Sequence, residues 1–193
     1  MENGAKKVGL RMAAGVLVAI TIIVAVFASG ITFPNQEIKT GKLIVLLKDA
    51  PVDLNTLDIT LTDLEVHKVG TGDGEEAIEG EWIYLRENDP MTFNLLDYQD
   101  ENLLSLATAE IDPGKYNKIR MYVSEAYADF KDVTKTDDFL KVPPGKIDVI
   151  TNFEIEADQT VIVTIDMEPD WVAISNHGNL RPTLKAIISE TLD

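Results

Sequence analysis

From Gly41 onward, apolar and polar residues alternate with period two, a pattern that an extended strand can bury on one face and a helix cannot. Leu57, Ile59 and Leu61 alternate with Asp58, Thr60 and Thr62. Ile119, Met121 and Val123 alternate with Arg120 and Tyr122, and Val161, Val163, Ile165 and Met167 with Ile162, Thr164 and Asp166. Leu180, Leu184, Ala186 and Ile188 close the chain in the same rhythm. Leu43 to Leu47 is a continuous apolar run of strand length, suited to a buried strand, and Trp82 to Leu85 is a short aromatic one. In the run that starts at Leu57 the phase slips, because Leu64 and Val66 carry the apolar set at even positions. A one-residue slip would turn the apolar face to solvent, so a bulge is expected near Thr62 and Asp63.

Turn signals separate the runs: Asp49-Ala50-Pro51, Asp112-Pro113-Gly114, Pro143-Pro144-Gly145 and His177-Gly178-Asn179. Only Asn102 to Glu110, NLLSLATAE, has a helical look. The expectation is an all-β chain, an Ig-like or transthyretin-like antiparallel β-sandwich with at most one short helix. At 193 residues the chain is long enough for one domain with a real core. That domain is expected over residues 41–193, after a polar linker at 34–40.

Residues 1–33 read differently. Met12 to Phe33 is 22 residues without a charge, enough to cross a hydrocarbon core of about 30 Å as a helix. Lys6, Lys7 and Arg11 precede it, so the N-terminus is expected to stay cytoplasmic and the remainder to lie outside. A cleavable signal peptide is the competing reading, with small residues near Ala28 and Gly30. The run is longer than a usual signal core, which favours a retained transmembrane anchor. Either way the acidic part is expected outside the cytoplasm, membrane-anchored or secreted.

Composition narrows the function classes. With no cysteine there is no disulfide, zinc-thiolate site or thiol nucleophile. Net charge is −16, and beyond Met12 the chain carries 14 basic and 32 acidic residues. Such a surface repels nucleic acid, which is not expected as a partner. No Ser sits in a G-x-S-x-G elbow, and neither His67 nor His177 has a paired metal spacing. No enzyme and no cofactor is expected.

The stretch Val69 to Glu76, VGTGDGEE, has glycines at alternate positions. A phosphate loop needs Gly-Lys-Ser/Thr opening a helix, but here two glutamates follow. A calcium EF-loop needs alternating Asp/Asn ligands between helices, but Asp73 is the sole aspartate and the flanks read as strands. An acidic hairpin tip, with glycine supplying positive φ, fits best. The Ca²⁺ candidates are Asp129, Asp132, Asp137 and Asp138, hard oxygen ligands in one loop that Lys131 and Lys135 dilute. Asp49 and Asp53 form a second acidic pair, better read as turn caps. Trp82, Trp171, Tyr84, Tyr98, Tyr122 and Tyr127 could form a sugar-stacking platform, against core and sheet-face packing as the ordinary role of strand aromatics.

In order, GKLIVLLKDAP (Gly41 to Pro51), LDITLTDLEVHKVG (Leu57 to Gly70), WIYL (Trp82 to Leu85) and FNLLDY (Phe93 to Tyr98) form a recognisable set. DPGKYNKIRMYV (Asp112 to Val123), LKVPPGK (Leu140 to Lys146) and LRPTLKAI (Leu180 to Ile187) complete it. The set resembles domain-of-unknown-function family 4382, exported domains of archaea and bacteria. The resemblance implies a secreted or surface-attached β-rich domain and transfers no site residues. The functional expectation is a non-enzymatic envelope module with a structural or adhesive role. Its partners would be the membrane through a retained leader, other envelope proteins, or further copies of itself through strand addition by Ile31 to Thr40. The alternative is a binding module for carbohydrate, peptide or Ca²⁺.

Overall fold

The computed structural model describes residues 39–49, 53–72, 77–136, 138–169, 174 and 178–192. The chain divides into two units, Met1–Ile38 and Lys39–Asp193. The first, with the expected leader and most of the linker, lies outside the described residues. Among the described residues no helix is long and apolar enough to cross a membrane.

Among the described residues ten strands form two open sheets in the second unit. They are β1 (Gly41–Asp49), β2 (Leu54–Lys68), β3 (Glu81–Arg86), β4 (Met91–Asn94), β5 (Leu104–Ile111), β6 (Gly114–Phe130), β7 (Asp138–Phe139), β8 (Lys146–Ile155), β9 (Gln159–Pro169) and β10 (Pro182–Leu192). The four-stranded sheet runs β10-β9-β1-β5. The six-stranded sheet runs β3-β2-β6-β7, with β4 also on β2 and β8 also on β6. One core serves both sheets: Leu43, Val45, Leu47, Val161, Val163 and Ile165 from one meet Leu57, Ile59, Val66, Ile119, Met121 and Val149 from the other. These are the residues at every second position, so alternation decides what is buried.

The expected bulge is present. Leu61 pairs with Val123 and Asp63 with Tyr122, leaving Thr62 as the extra residue of β2. A second bulge lies opposite: Thr60 pairs with Glu125, so β6 leaves out Ser124. Each strand changes phase at the same level, and Leu64 and Val66 stay in the core beside Met121 and Ile119.

Two expectations are corrected. Asn102 to Glu110 is not helical: Leu104–Ile111 is β5, paired antiparallel to β1 from Gly41↔Ile111 to Leu47↔Leu104. Its helical look comes from adjacent apolar residues, and a bulge explains them. The register shifts between Val45 and Leu46, so Leu106 is extra and both Leu106 and Ala107 are buried. The local helix-forming composition yields to pairing with a central strand. The sandwich is also not wholly antiparallel, because β1 and β9 run parallel from Lys42↔Thr160 to Asp49↔Met167. β1 lies between β9 and β5, which gives its continuous apolar run two covered flanks. Six of the strands match the expected runs. β8 has the same alternation, with Ile147, Val149, Thr151, Phe153 and Ile155 buried, and was legible by that rule.

The glycine-rich stretch is a hairpin connection. β2 and β3 pair antiparallel, and Thr71 and Ile78 exchange backbone hydrogen bonds beyond the strand ends. Gly72 takes φ +84°, the left-handed region that glycine enters without penalty. Asp73 to Glu76 lie outside the described residues.

Candidate functional site

Pairing in the six-stranded sheet lays its outward residues in rows. His67 on β2 faces Trp82 on β3 and Lys118 on β6, and Lys118 faces Ile150 on β8. Glu65 faces Tyr84 and Arg120, and Arg120 faces Asp148. Their inward neighbours Val66, Ile119 and Val149 are buried. Period two thus turns one aromatic, charged set to the outer face.

The centre of this face is self-satisfied. Arg120 donates from Nε to Asp148 Oδ1 at 2.7 Å and from Nη2 to Oδ2 at 3.1 Å. Its Cζ lies 4.0 Å from the Trp82 ring centroid, and Lys118 Nζ lies 5.7 Å from it. The His67 ring is 4.8 Å from that of Trp82, and its Nδ1 is 2.8 Å from Asn117 Oδ1. Gly80 permits this approach: a Cβ there would meet Lys68 O at 2.7 Å and His67 Cε1 at 2.9 Å. Glu65 is buried and accepts from the Tyr122 hydroxyl at 3.0 Å. The hydrogen bond of Tyr84 to Glu65 raises the Tyr84 pKa. What remains open is the hydrophobic rim: Tyr84 is 50% exposed and Ile150 70%.

The hydrogen bonds from Arg120 hold the Asp148 carboxyl below the usual carboxylate range. A depressed folded-state pKa stabilises above the unfolded value, near 4, and that contribution disappears as pH falls through the folded value. Asp148→Asn is therefore expected to cost about 1 kcal/mol at pH 7, discounted for partial solvent access. Its difference from wild type should shrink progressively below about pH 4. Urea denaturation at both pH values checks this.

Of the platform aromatics, Trp82, Tyr84 and Tyr122 share this face. Tyr127 lies farther along the same strand and packs edge-on against Phe139 at 5.1 Å, while Tyr98 packs edge-on against Phe93 at 6.2 Å. Trp171 and His177 lie outside the described residues, as does Asp137 of the acidic loop. The other loop acids have local partners. Asp129 accepts from Asn55 at 2.8 Å, and Asp132 accepts from the Thr134 amide at 3.0 Å and hydroxyl at 2.7 Å. Asp138 Oδ1 accepts from the Phe139 amide. The Thr134 bonds lower the Asp132 pKa. Among the described residues no three His, Cys, Asp or Glu converge as a metal site. Asp49 is buried and accepts from Gln99 at 3.1 Å, while Asp53 pairs with Lys131 at 3.4 Å.

Sequence reasoning missed a groove of about 500 Å³ next to the His67–Asn117 bond. It is lined by Lys115, Asn117, Asn152 and Glu154 with the stacked rings of Tyr116 and Phe153, 5.4 Å apart and inclined at 13°. A bulge shapes it: Tyr116 pairs with Phe153 but Lys118 with Ile150, so Asn117 faces two residues of β8. Burial pushes the Tyr116 pKa up to about 12, so its hydroxyl stays protonated and donates to Asp112 O at 2.6 Å. The alternation of β8 would have revealed Asn152 and Glu154 as outward. Their convergence with β6 depends on register.

The family described as domain of unknown function (DUF4382) matches residues 40–182. No curated protein matches the chain. A solved structure of a candidate cell adhesion protein from Bacteroides eggerthii DSM 20697 is similar, with TM-score 0.38 and 10% identity. The likeness covers 79% of this chain and 55% of that one. Another, from Bacteroides ovatus ATCC 8483, has TM-score 0.25 and 14% identity over 79% of this chain and 45% of that one. The chain thus spans about half the length of these two proteins.

Proposed function

The chain belongs to the DUF4382 family of domains of unknown function, and from its own surface we propose that it is a non-enzymatic β-sandwich module of the cell envelope. It is held outside the cytoplasm by its apolar leader and has a structural or adhesive role. The two open sheets over one core support an Ig-like or transthyretin-like reading of the sandwich. His67 is engaged by an amide and a tryptophan, which favours a packing role over a catalytic one.

The observation that carries the reading is the outer face of the six-stranded sheet. At its centre Arg120 is paired with Asp148 and Glu65 is hydrogen-bonded by Tyr122, while Tyr84 and Ile150 stand open. A centre whose charges are satisfied within the sheet, on a chain of net charge −16, suits a neutral partner, since docking there breaks no ion pair. An uncharged polysaccharide of the envelope is that partner. The full-length chain is expected to sediment with insoluble neutral wall polysaccharide. The Tyr84→Ser/Ile150→Ser variant should lose at least about tenfold in affinity, as for open aromatic anchors. Unchanged sedimentation of the double variant at unchanged Tm would refute the reading.

A further inference from the structure

At the centre of the outer face the charged side chains have partners. Arg120 and Lys118 meet Asp148, and Lys68 meets Asp112. The groove beside it is different. Lys115 and Glu154 are direct register partners on β6 and β8, yet among the described residues no ion pair joins them. Asn152 forms no side-chain hydrogen bond among the described residues, and Lys115, Asn152 and Glu154 are all exposed. Asn117 has its Oδ1 held at 2.8 Å from His67 Nδ1, and its amide NH₂ remains as a donor. One ammonium, one carboxylate and two amides are thus gathered, largely uncommitted, around a groove of about 500 Å³ with an aromatic pair in its lining. That volume lies in the usual range for small-molecule sites, roughly 300–1,000 Å³.

The mixture selects a ligand chemistry. An anion would meet Glu154 and a cation would meet Lys115, each adding repulsion to attraction. A hydroxyl group both donates and accepts, so one polyol satisfies all four groups at once. Adjacent hydroxyls match the paired donor and acceptor of an amide, and the buried Tyr116 and Phe153 form the floor beneath them. We propose that this groove is a binding subsite for one unit of a neutral saccharide, oriented by Asn117, Asn152, Lys115 and Glu154. The inference rests on the polysaccharide reading above and adds the subsite that reads hydroxyl geometry, whereas Tyr84 and Ile150 supply sequence-blind adhesion.

The test uses the full-length chain in a sugar-free polyoxyethylene detergent, titrated calorimetrically with cellobiose, maltose and lactose. Glycylglycine serves as a zwitterionic comparison. At least one disaccharide should bind saturably, and Asn152→Ala should weaken it at least about tenfold, the scale of one or two lost hydrogen bonds. Glu154→Gln, which keeps the shape and an acceptor, should weaken it less. Tyr84→Ser alone, on β3 and separated from the groove by β2, should leave it within about twofold while weakening sedimentation with polysaccharide. Absence of binding by all three sugars, affinity unmoved by Asn152→Ala, or tighter binding of glycylglycine would each overturn the subsite. If sedimentation still depends on Tyr84 and Ile150, the adhesive reading survives that failure; if it does not, both fall.

Discussion

Ile119→Asp is expected to abolish the folded sandwich, with a loss above about 4 kcal/mol. Ile119 has no exposed surface and sits mid-strand between Val66 and Val149, themselves buried. A carboxylate there finds neither water nor a cation. It must stay protonated at a desolvation cost or expel its segment from the core. Ser124→Asp, five residues along the same strand, places the same charge at an exposed bulge position. It should change stability by less than about 0.5 kcal/mol. Circular dichroism and urea denaturation of both variants check the pair, and equal stabilities would show that β6 is assigned to the wrong faces.

Leu57→Ala is expected to cost about 3 kcal/mol. Leu57 is fully buried, and Asn94 accepts a hydrogen bond from its backbone amide at 3.0 Å, which fixes the local strand position. With the backbone held on both sides, by Ala128 on β6 and by Asn94, the site has little freedom to collapse around a deleted isobutyl group. Most of the cavity cost is therefore retained. Leu57→Met conserves volume and should cost less than about 1.5 kcal/mol. The denaturation midpoints, at constant slope, measure both.

Six of the strands and their inward faces were legible because alternation is a local code. Leu57, Ile59 and Leu61, then Leu64 and Val66, name their own buried side, and the slip between them names the bulge. Asn102 to Glu110 misled because its two consecutive buried residues, Leu106 and Ala107, arise from a bulge imposed by β1, a strand some sixty residues earlier. The candidate site was legible only in part. Trp82, Tyr84 and Tyr122 were marked as aromatics, but their grouping with Arg120 and Asp148 depends on β3, β2, β6 and β8 lying side by side. Tyr98 belongs to the same composition and packs against Phe93, and Tyr127 sits farther along β6 against Phe139.

Side-chain spacing alone marked six strands as extended and named their core-facing sides, and the lack of cysteine left stability to packing without disulfides, because these depend on local spacing or residue type. The tertiary structure decided strand neighbours and register. It set β1 parallel to β9, buried Glu65 under Tyr122, paired Arg120 with Asp148, and opened the groove at the Asn117 bulge. These features join residues far apart in the chain, and their partners are chosen by the free energy of the whole packed core, which no local pattern records.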